Sequence, residues 1–122
     1  MGVSEFLSQL QIVEDAVKNA TKGLFAKFDS FTFKMLIGWL KSNDPEAVMV
    51  SIDQLANEKR QISIPPLYVV SRAHPIDRVR ARALAALEKM DEDNEIEKLT
   101  AGKEVKDAVA ALVERFGNFK QM

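Results

Sequence analysis

Residues 63–87 read SIPPLYVVSRAHPIDRVRARALAAL, and the fold turns on how that stretch is parsed. Pro65 and Pro66 fit only the first turn of a helix, where a backbone N–H has no partner to lose. A helix therefore begins near Ser63, carries Leu67, Tyr68, Val69 and Val70, and stops around Ala73-His74-Pro75. A second helix, about residues 76–90, sets Val79, Ala83, Leu84, Leu87 and Met90 on one face. A strand does not fit here. The β-branched pair Val69-Val70 is too short and follows two prolines.

The same reasoning extends in both directions. Upstream, Asn43-Asp44-Pro45-Glu46 is a boundary, with Asp44 as cap and Pro45 as first helical residue of a helix over about 45–59 that buries Val48, Ile52 and Leu55. The helix before it, about 31–42, is apolar on two sides. Phe33, Leu36, Ile37 and Leu40 form one face, and Phe31, Met35 and Trp39 form another, a pattern expected of a helix sandwiched between neighbours. The first helix is capped by Ser4 and carries Phe6, Leu10, Val13, Val17, Ala20 and Leu24 in a single stripe into the mid-twenties. Downstream, Asp91–Glu95 reads as an acidic surface linker and Ile96 with Leu99 as a short turn. A last helix over about 101–116 uses Val105, Val109, Leu112, Val113 and Phe116, with Gly117-Asn118 as its C-cap. The expected architecture is one all-α domain of about six helices: a capping helix to residue 28, helix pairs over 31–116, and a tail at 117–122.

The chain also resembles itself. Residues 31–55 lie over 63–87, so that Met35-Leu36-Ile37 meets Leu67-Tyr68-Val69, and Ala47, Ser51, Ile52 and Leu55 meet Val79, Ala83, Leu84 and Leu87. A third partial copy matches Val79, Ala83 and Leu87 to Val105, Val109 and Val113. With Asp44-Pro45-Glu46, Ile64-Pro65-Pro66-Leu67 and Val79-Arg80 followed by Ala83-Leu84 and Leu87, residues 31–116 resemble the HEAT-like repeat family, including the short variant of phycobiliprotein lyases. The resemblance implies a right-handed α-α superhelix, or a compact helical bundle of such pairs, that binds another protein. It also implies an aspartate five positions before the valine, to pair with a neighbouring arginine; His74 and Thr100 stand there instead, although Arg80 and Lys106 keep the basic position.

Composition narrows the chemistry. Of 122 residues, 17 are Lys or Arg and 18 Asp or Glu, so no net field draws the chain to nucleic acid or anionic lipid. Having no cysteine and one histidine, it offers no thiolate or multi-histidine metal site, and no cofactor is expected. No apolar run nears the roughly 20 residues that cross a bilayer, and the N-terminus lacks a secretion pattern, so a cytoplasmic address is expected. No glycine-rich phosphate loop or nucleophile elbow is present, and enzymatic function is not expected.

Two groups of residues are candidates for partner binding. Phe31, Met35 and Trp39 could form an exposed interface patch, or be covered by the first helix. Arg78 and Arg82 share a helix face that could hold an acidic partner or, weakly, nucleic acid; a solvated helix surface is the alternative. Arg80, at the edge of the buried face, and His74, in the turn, read as structural hydrogen-bonding residues. A small-ligand or enzyme-like reading would need an enclosed cavity lined by Tyr68, Arg80 and His74. Self-association is a further possibility, because two to three helix pairs are near the minimum for an independent stack.

Overall fold

The computed structural model describes the backbone of residues 2–20 and 34–116, and side chains over 2–16 and 34–116. Its helices are α1 (Val3–Ala20), α2 (residues 34–40), α3 (Pro45–Glu58), α4 (Ile64–Ala73), α5 (Asp77–Met90), α6 (Glu95–Thr100) and α7 (Val105–Phe116), with 3-10 turns at Gln61–Ser63 and Glu92–Asn94. No strand occurs among the described residues. The fold is all-α.

Local chemistry explains most of the boundaries. The Asp44 carboxylate accepts the Glu46 N–H (3.0 Å) with Pro45 behind it, so α3 starts where the sequence places it. Lys59 ends that helix in the left-handed conformation (φ 52°), its N–H returning to the Leu55 carbonyl. One cap assignment needs correction. Ser4 lies inside α1, and the Phe6 N–H bonds to the Gly2 carbonyl instead. Ser63 stands at the start of α4 as expected, but its hydroxyl donates to the Arg60 carbonyl (2.6 Å), closing the 3-10 turn before the helix.

The segment read as an acidic linker does structural work. Asp93 and Asn94 both adopt left-handed conformations, a sharp reversal that short polar side chains tolerate. Asp91 then folds over the start of α6 and accepts the Ile96 N–H (2.7 Å) and the Glu97 N–H (3.3 Å). Glu95 pairs with Arg115 of α7, which fastens α6 across the last helix. Thus α6 is a helix where a turn was expected, and α7 starts at Val105 instead of residue 101.

The helices share one apolar cluster centred on α4. α4 packs against α5, α1 and α7, and its residues Ile64 to Val70 are all buried. Apolarity all round is what a helix enclosed on every side requires. α3 lies on the outer side of α5, and α6 lies on α7. The first and last helices pack against one another, and Phe6, Leu10 and Val13 of α1 are buried. An extended superhelix would keep those ends apart, since each unit of a linear stack meets only its neighbours. Of the two expected arrangements, the compact bundle is the one adopted.

Burial also corrects the alignment of α3 with α5. Ala47 is exposed where Val79 is buried, and Ile52 is buried where Leu84 is 52% exposed. A register one residue shorter superposes the buried sets: Val48 on Val79, Ile52 on Ala83, Leu55 on Ala86 and Ala56 on Leu87. Leu84 therefore leaves the core list. The small residues Ala83 and Ala86 take buried places on α5.

Candidate functional site

Helix α2 buries Leu36, Ile37 and Leu40 and turns Met35 and Trp39 outward, 44% and 42% exposed. It is amphipathic, not sandwiched, and α1 does not cover its outer face. Gly38, between the two, makes no close approach: a Cβ there would meet nothing within 4 Å. Met35 and Trp39 stand one turn apart and present a continuous apolar strip. Phe31, the third member of that stripe, lies outside the described residues, as do Gly117, Asn118, Phe119 and Met122.

Arg78 and Arg82 project from α5 toward α3. Arg78 pairs with Glu46 (2.8 Å) and Arg82 with Asp53 (2.7 Å), while Lys89 donates to the Asn57 side-chain oxygen (2.8 Å). The face expected to be available to an anion is thus a seam between two helices, with its arginines already facing carboxylates. Those partners lie about thirty residues upstream in the chain.

Arg80 and His74 form a separate junction. Arg80 donates from one Nη to the His74 carbonyl (2.6 Å) and from the other to Asp77. His74 is 4% exposed; its Nδ1 accepts the Ile76 N–H (3.1 Å), and its ring meets Phe6 of α1 edge-on at 4.9 Å. Burial, and next the Arg80 charge, lower its pKa from the ordinary 6.5. The unfolded chain consequently takes up a proton that the folded one resists. Stability is then complete above about pH 6.5 and falls as pH drops below it toward the folded-state pKa. Denaturation midpoints measured at pH 7.5 and 5 are expected to fall for the wild type. In His74→Asn, whose side-chain oxygen can accept the same N–H without titrating, the fall is expected to be smaller. Equal falls would remove His74 as the source.

An open groove of about 600 Å³ lies between α4, α5 and α6. Tyr68 and Arg72 line it from α4, Leu84 and Glu88 from α5, Glu97 from α6, and Lys103 from the turn after α6. That turn depends on Gly102 at φ +71°, a conformation costly for any residue with a Cβ. Tyr68 is the one member of the expected enclosed cavity found here; Arg80 and His74 do not line it. Leu84 supplied the missed signal. It is a leucine next to the Ala83 that occupies the buried position.

Among the described residues, no three His, Asp or Glu side chains gather as a metal site, and no helix is long and apolar enough to cross a membrane. No family model, curated protein or solved structure matches the chain.

Proposed function

We propose that this chain is a non-catalytic protein-binding module, an adaptor, scaffold or assembly factor acting in the cytoplasm. The observation that carries the reading is the exposed pair Met35 and Trp39 above a fully used core face. Aromatic and methionine side chains are enriched at protein interfaces, and tryptophan contributes large contact area there at little entropic cost. The nucleic-acid alternative loses support because Arg78 and Arg82 already face carboxylates. The enzyme-like alternative loses support because Arg80 and His74 do not line the groove that Tyr68 lines.

Trp39 is the chain's one tryptophan, so its fluorescence reports this surface alone. Acrylamide is expected to quench it readily in the isolated monomer and poorly once a partner, or a second copy, is bound. Trp39→Ala is expected to weaken that complex by about 30-fold, the effect of losing a central aromatic anchor of about 2 kcal/mol. A complex that leaves Trp39 equally quenchable and ignores the substitution would refute this docking face.

A further inference from the structure

The groove between α4, α5 and α6 has features that the core and the α2 surface do not explain. Leu84 is half exposed in it beside the buried Leu87. Tyr68 is 7% exposed and lines the groove, and its hydroxyl is not among the buried side-chain atoms left without a hydrogen-bond partner, so it meets solvent there. Arg60, Arg78, Arg80, Arg82 and Arg115 each pair with a carboxylate; Arg72, exposed at the groove, pairs with none among the described residues. Asp91 also lines the groove, but its carboxylate is committed to the Ile96 and Glu97 N–H groups. The charges left to meet a ligand are therefore Arg72 and Lys103 of one sign and Glu88 and Glu97 of the other.

Two of these charges, Arg72 and Glu88, have an order set by the helices that carry them. The short connection His74–Ile76 folds α5 back along α4, which sets Arg72, in the last turn of α4, beside the start of α5. Glu88 belongs to the last turn of α5, and Leu84 lies one turn before it. Along the groove, a cation, an exposed aliphatic residue and an anion follow in that order.

We propose that this groove docks a peptide segment of a partner protein carrying an aliphatic residue between an acidic and a basic side chain. The acid meets Arg72 and the Tyr68 hydroxyl, the aliphatic residue covers Leu84, and the base meets Glu88. A small molecule fits less well, because an open groove leaves one flank of it wet, whereas a peptide brings its own cover. The inference rests on the protein-binding reading but not on Met35 or Trp39.

The test is selection of a random displayed-peptide library on the full chain, run in parallel on Arg72→Glu, Glu88→Lys and Trp39→Ala. The wild type is expected to enrich a family with an acid, an aliphatic residue and a base in sequence. Arg72→Glu should exchange the acid of that family for a base, and Glu88→Lys should exchange the base for an acid. The wild-type consensus peptide should bind Arg72→Gln about tenfold or more weakly, the usual cost of losing a charged hydrogen-bonding partner. Both altered positions are exposed, and far-ultraviolet circular dichroism would check that each variant keeps its helices. No enriched family, a family without the acid, or an unchanged family on Arg72→Glu would overturn the proposal. A family lost in Trp39→Ala would overturn the groove assignment and leave the protein-binding reading standing.

Discussion

Leu67→Ala is expected to lower the unfolding free energy by about 3 kcal/mol, whereas Leu84→Ala should change it by less than about 0.5 kcal/mol. The two leucines stand on consecutive helices, and the sequence pattern assigns both to the core. Leu67 is fully buried on α4, which α1, α5 and α7 enclose, so shortening it opens a hole that three packed neighbours cannot all close. The cost is then transfer free energy plus a cavity term. Leu84 is 52% exposed at the rim of a groove, and alanine there loses little contact while gaining slightly in helix propensity. Urea unfolding followed by circular dichroism measures both, with a fall of roughly 10 °C in Tm accompanying the first change. Similar costs for the two would contradict the central place of α4 and the outward turn of Leu84.

That contrast also marks where sequence reading succeeds and where it stops. Period and punctuation were enough for α3, and period for the buried face of α7 though not for its start. Val48, Ile52 and Leu55, and Val109, Leu112, Val113 and Phe116, are buried as their spacing requires. The all-round apolarity of residues 64–70 likewise marked α4, although its role as the centre emerged only from the neighbours. On α5, Val79, Ala83 and Leu87 are buried as their spacing requires, but Leu84 turns outward and the smaller Ala86 takes a buried place, which close packing favours. Met35 and Trp39 show the opposite limit. Their apolar stripe is plain in the sequence, but whether another helix covers it depends on packing that no periodicity encodes. The groove was least legible. It depends on the path of the chain after Met90, which two left-handed residues and the Asp91 cap decide. The arginine face failed for a related reason, since Glu46 and Asp53 come beside Arg78 and Arg82 only when α3 packs on α5.

Arg80→Ala is expected to cost about 2 kcal/mol, but Arg78→Ala and Arg82→Ala less than about 0.5 kcal/mol each. The three arginines alternate along α5, and the helix period already sets Arg80 apart at the edge of the buried face. Arg78 and Arg82 make single ion pairs with about half or more of the side chain in water, where entropy and screening cancel most of the attraction. Arg80 is 27% exposed and donates to the His74 carbonyl at the end of α4 as well as to Asp77 in the first turn of α5. It thus ties the two helices at their connection, and its removal leaves a carbonyl in a largely buried turn without its charged donor. Arg80→Lys should recover only part of the loss, because an ammonium lacks the planar fork that serves both acceptors. Removing the guanidinium also removes one of the two causes that lower the His74 pKa. In Arg80→Ala the imidazole is therefore expected to titrate nearer to its ordinary value, though still below it, because burial is the larger cause. Proton resonances of the one histidine report that shift directly. Equal costs for all three arginines, or a His74 titration indifferent to Arg80, would refute the junction as the contact that joins α4 to α5.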